Sequence, residues 1–109
     1  MLQDVHTRKI AIPVTAPIGT TIIIPAVAGA WIYVHELIGS CDAADLITIQ
    51  ADATSLAEFD LGAGQGITLD DVPGDDGVPR FKCKPGQDFI INSSTGATFT
   101  GAIQYSRRY

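Results

Sequence analysis

The sequence predicts an all-β domain, a sandwich or barrel of eight or nine short strands. Two observations carry this. Apolar residues alternate with polar ones in run after run, the period of a half-buried strand. Between the runs stand Gly, Pro, Asp, Asn and Ser clusters suited to tight turns, spaced about every ten residues.

Residues 9–14 alternate, with Ile10, Ile12 and Val14 on one side. Pro13 has no amide to donate, so this strand belongs at a sheet edge or stops there. Residues 20–24 are rich in β-branched side chains, which pack well on a pleated surface, and Pro25 ends them. Residues 30–38 place Trp31, Tyr33, His35 and Leu37 on one face and Ile32, Val34, Glu36 and Ile38 on the other. Both faces are largely apolar, so both are candidates for covering.

Residues 46–51 set Ile47, Ile49 and Ala51 against Thr48 and Gln50, and residues 55–61 set Ala57, Phe59 and Leu61 against Glu58 and Asp60. A short alternating run covers residues 66–69. Residues 80–84 point their charges outward and Phe81 and Cys83 inward. Residues 87–92 bring Phe89 and Ile91 together, and residues 97–105 bring Phe99, Gly101, Ile103 and Tyr105 together. Asp42 to Asp45 is at most a turn. There is no internal repeat and no linker, so the expected organisation is a loose N-terminal arm over residues 1–8 and one domain over residues 9–109.

The chain has 109 residues, enough for one core without metal or disulfide support. Twelve acidic residues against seven basic ones give a net charge of −5. Phosphate neutralisation needs basic clusters, so direct nucleic-acid binding is not expected. The basic groups are short: Arg8-Lys9, Arg80-Lys82-Lys84 and Arg107-Arg108. The first residues lack the basic flank and apolar run of a signal peptide, and no stretch is long and apolar enough to cross a bilayer as a helix. A cytosol-like site of synthesis is therefore expected. Cys41 and Cys83 fit reduced thiols there better than a disulfide.

Chemistry-bearing groups are sparse. A zinc site needs three or four ligands at workable spacing, and His6, His35, Cys41 and Cys83 show no paired spacing. Cys83 stands between Lys82 and Lys84, but alternation turns it away from both, so a buried, inert thiol is expected. Residues 62–66, Gly-Ala-Gly-Gln-Gly, precede a strand and not the helix a phosphate loop requires. Asp70, Asp71, Asp75 and Asp76 carry oxygens of the kind calcium takes but lack the ligand order of an EF-hand; a solvated acidic loop is the plainer reading. No catalytic triad signature is present. The functional candidate is the Trp31-Tyr33-His35 stripe. It is either core under a second sheet or an interface, where aromatics with polar tips concentrate.

Three segments carry a family resemblance: Pro79-Arg80-Phe81, then Gly86-Gln87-Asp88-Phe89-Ile90-Ile91, then Gly101-Ala102-Ile103-Gln104-Tyr105. With the central strand at Trp31 and the Asp/Ala turn before residues 46–51, they resemble the small jelly-roll capsid decoration, or cement, proteins of tailed bacteriophages and their relatives in head fibres. The likeness spans residues 9–106. It implies a jelly-roll-like β-sandwich of about eight short antiparallel strands. It also implies a homotrimer on the outer capsid surface, made in the host cytoplasm and partnered by itself and the major capsid protein. No enzymatic activity, catalytic residue, cofactor, metal or membrane partner is implied by it. On this reading Trp31, Tyr33, His35 and Tyr105 pack subunits together, and Leu2, Val5, His6, Arg8 and Lys9 dock on the capsid. A fibre module that recognises a host-surface glycan through the same aromatics is the alternative. A cupin-like enzyme would need a metal cluster of histidines and a carboxylate, and two histidines cannot supply it.

Overall fold

The computed structural model describes residues 10–70, 79–94 and 96–109. Nine strands occupy them, with no helix: β1 (Ile10–Ala16), β2 (Gly19–Ile24), β3 (Trp31–Cys41), β4 (Asp45–Ala51), β5 (Thr54–Leu61), β6 (Gly66–Leu69), β7 (Phe81–Cys83), β8 (Phe89–Ser93) and β9 (Phe99–Arg108). They form two antiparallel sheets. Sheet A runs β1-β9-β3-β6, with β7 also on β3, and sheet B runs β2-β8-β4-β5.

This order is a jelly roll. The pairs β1·β9, β2·β8, β3·β6 and β4·β5 are the rungs of one long hairpin whose tip is the β4–β5 turn. Wrapping the hairpin brings β9 beside β3 and β8 beside β4. Only β4 and β5 are both consecutive and paired, so every other pairing must be found across long stretches of chain.

The sandwich closes over one apolar core. Sheet A contributes Val14, Ile32, Val34, Leu37, Phe99 and Ile103, and sheet B contributes Ile24, Ile47, Ile49, Phe89 and Ile91. Each such side chain contributes about 1.5–3 kcal/mol when fully buried. The alternation read from the sequence holds in β1, β4, β5, β7 and β9, whereas in β8 Ile90 is buried along with Phe89 and Ile91. Pro13 lies on β1, an edge strand, facing Ala102.

The strand β3 departs from simple alternation. Ile32, Val34, His35 and Leu37 are all buried. The register against β9 slips between Val34 and Glu36. The extra residue at this β-bulge is His35, and it inverts the parity of the rest of the strand. Trp31, Tyr33, Glu36 and Ile38 therefore share the outer face, whereas Ile32, Val34 and Leu37 face the core. The two faces expected from strict alternation are each correct only up to the bulge.

A cross-strand glycine pair, Gly39 and Gly101, lets β3 and β9 approach closely beside Phe99. A methyl group on Gly101 would stand 2.6 Å from Gly39 Cα, and one on Gly39 would stand 2.8 Å from the Thr100 carbonyl oxygen. Neither position has room for a side chain.

Candidate functional site

Cross-strand partners share a face, so the outer face of sheet A can be read from its register. Trp31 stands opposite Arg108, and Tyr33 lies between Lys82 on β7 and Ser106 on β9. The Trp31 and Tyr33 rings meet edge to face, 6.3 Å between centroids at 73°. The Arg108 guanidinium lies 5.3 Å and Lys82 Nζ 5.9 Å from the Tyr33 ring centroid. Each contact is worth about 0.5–1 kcal/mol at an exposed site. The result is an aromatic and cationic platform at one end of the sheet, with Trp31 36% exposed. Beyond it the face carries Ala11, Pro13, Thr15, Ile38, Thr68, Thr100 and Ala102, and among the described strand residues its acidic group is Glu36. A surface so poor in charge differs from a solvated face and has the composition of an interface centre.

The four residues expected to pack subunits do not form one surface. Trp31 and Tyr33 face outward. His35 is buried at the bulge, its ring edge to face with Tyr33 and its Nε2 2.8 Å from Ser106 Oγ. Tyr105 pairs with Val34 and packs against the core side. The Arg107 guanidinium sits 5.6 Å from the Tyr105 ring centroid and donates through Nη2 to the Pro25 carbonyl at 3.0 Å. Leu2, Val5, His6, Arg8 and Lys9 lie outside the described residues, as do Asp71, Asp75 and Asp76.

Lys82 and Arg108 belong to this platform but were legible in the sequence only as members of short basic runs. Alternation turns Lys82 outward. What it cannot give is the β7 and β9 registers that bring both cations to one tyrosine.

The acidic residues have a structural use that sequence reading missed. Asp42 Oδ1 accepts from Thr98 N at 2.8 Å, tying the β3–β4 turn to the start of β9. Asp45, buried, accepts from Leu46 N at 2.7 Å and from Ser94 N at 3.1 Å and Ser94 Oγ at 2.9 Å, and also bonds Ser93 Oγ. Asp52 accepts from Asp88 N at 2.8 Å, and Asp88 accepts from Ala26 N at 2.6 Å. These carboxylates satisfy amides that loops leave unpaired.

Cys41 and Cys83 are buried free thiols near opposite ends of β3. Burial pushes the Cys83 thiol up to about 12, with Asp52 and Asp88 adding to the effect. Burial also raises Cys41, with Asp45 and Asp42 contributing. Neither favours the thiolate that nucleophilic chemistry needs. The glycine-rich residues 62–66 form a turn closed by Gly62 N donating to Gln65 Oε1 at 2.7 Å, and β6 comes directly after it. Among the described residues no three His, Cys, Asp or Glu side chains are grouped to hold a metal ion.

No protein-family model, curated protein or solved structure matches the chain.

Proposed function

We propose that this chain is a structural virion protein that binds the outside of a phage capsid as a homotrimer and stabilises the expanded shell. It is made in the host cytoplasm and acts on the outer capsid surface without enzymatic activity. The observation that carries the reading is the exposed Trp31-Tyr33-Arg108-Lys82 platform on the charge-poor face of a jelly roll. A cement protein acts by burying surface across subunit joints. Specific interfaces of about 1,200–2,000 Å² are built around buried aromatic and Arg anchors.

The test is co-sedimentation with empty expanded capsids. Saturable binding that raises the temperature of shell disruption supports the reading, and Trp31→Ala is expected to weaken it. A protein that leaves capsids unbound and unstabilised at every concentration overturns it.

The exposure of Trp31 beside two cations also favours a second reading, a fibre module that stacks a host-surface glycan on the indole. On that reading a glycan-array signal is present and disappears in Trp31→Ala, while capsid binding is absent.

A further inference from the structure

The described cations cluster, and two exposed carboxylates lie on the opposite sheet. The described Lys and Arg residues all fall on β7, on the residues flanking it, or at the end of β9. Lys82 and Arg108 rest on Tyr33 and, among the described residues, neither has a carboxylate partner. On the other sheet the outer face of β4 and β5 carries Glu58 and Asp60. Register sets Asp60 beside Leu46 and Glu58 beside Thr48. Both carboxylates are exposed and have no hydrogen-bond or ion-pair partner among the described residues. This sets them apart from Asp42, Asp45, Asp52 and Asp88, which hold the protein's own amides.

The two surfaces also match in apolar content. Trp31 is 36% exposed on the basic one. Leu46 at 38% and Leu56 at 36% flank the acidic one, Leu56 being the extra residue at the β-bulge opposite Ile49 and Gln50. Each surface thus offers bulky apolar groups beside charge, two cations on one and two carboxylates on the other, with Glu36 farther along the basic face.

We infer that the Trp31-Tyr33-Lys82-Arg108 surface of one copy binds the Leu46-Leu56-Glu58-Asp60 surface of a second copy of this chain. The inference deepens the self-association in the proposed function by naming the two surfaces that meet. The contact is heterologous, because each copy uses two different patches. Such contacts close into a ring when the rotation between copies permits and otherwise extend. Opposite charges speed and orient the encounter, and like charges in the same place repel it. The apolar residues supply the burial.

The experiment is light scattering on the purified full chain across a dilution series at low and high salt. The wild type is expected to associate, and to do so less at about 1 M salt, where the Debye length falls to about 3 Å. Lys82→Glu with Arg108→Glu places acid against acid, and Glu58→Lys with Asp60→Lys places base against base. Each pair is expected to weaken association about 100-fold or more. The chain carrying all four reversals restores complementarity, so it should associate again, which also shows that the substitutions are compatible with folding. A wild type that stays monomeric overturns the inference, and so does undiminished association in both double variants or none in the quadruple one. Capsid binding is scored separately. Association without capsid binding removes the proposed function and leaves this contact standing. Capsid binding by a monomer removes the contact and leaves the function.

Discussion

His35 Nε2 and Ser106 Oγ stand 2.8 Å apart, both buried, at the β-bulge where β3 exchanges the face it turns to the core. The bond ties the bulged residue to β9 and so holds the inversion that puts Ile32 and Val34 inward before it and Leu37 inward after it. Ser106 is itself buried, so no water replaces a lost hydroxyl freely. Ser106→Ala is expected to cost about 1–3 kcal/mol, the range for depriving a buried polar group of a partner. Urea denaturation reads it. An unchanged midpoint would mean that the bulge is held by backbone pairing alone.

Asp45 gathers the β8–β9 connection around one carboxylate. It accepts from Leu46 N and from the backbone and hydroxyl of Ser94, and it bonds Ser93 Oγ, which also lies 2.8 Å from the Ala97 carbonyl. Asp45→Asn replaces one acceptor oxygen with a donor that faces other donors. The expected loss is about 1–3 kcal/mol, with Asp45→Ala at the upper end. Hydrogen exchange should localise the effect, with Leu46 and Ser94 amides exchanging faster. Uniform acceleration across both sheets would show instead that Asp45 supports the fold as a whole.

The glycine pair sets a steric limit. Gly101→Ala drives its methyl group against the backbone of Ile38 and Gly39, and Gly39→Ala drives one into the Phe99 ring. Backbone cannot move aside without breaking the β3–β9 ladder. Gly101→Ala should therefore cost more than about 3 kcal/mol, at the severe end of overpacking. Gly64→Ala meets no neighbour but has a φ of 73°, so it should cost only about 1–2 kcal/mol from the left-handed backbone. Comparable losses at the two sites would contradict this account.

The strands were legible because period-2 alternation depends only on neighbours along the chain, and Phe81 with Cys83 shows it in as few as three residues. Pro13 marked an edge because a missing amide is a property of one residue. The bulge at His35 was not legible, since register is decided by β9, about seventy positions later. The same holds for the loop carboxylates: Asp52 and Asp88 meet only after sheet B has formed. For the candidate surface, Trp31 and Tyr33 were visible as a pair. Their cations were not, because Lys82 and Arg108 reach Tyr33 through two separate strand registers, and the bulge takes His35 out of the exposed row.

The thiols predict how stability depends on pH. Cys83 is held at about 12 in the native protein against an ordinary value of 9.0, chiefly by burial, and Cys41 is raised for the same reason. Above pH 9 the unfolded chain releases these protons while the native protein keeps them. The unfolded state then binds fewer protons, so stability falls as pH rises. The contribution of Cys83 is fully present below pH 9 and is lost progressively as pH climbs from 9 through 12. The useful quantity is the difference between wild type and Cys83→Ala. That difference should be constant below pH 9 and should shrink in favour of the variant above it. A flat difference across the whole window would mean that Cys83 ionises as readily in the native protein as in the unfolded chain, and its burial in the core would not be what controls it.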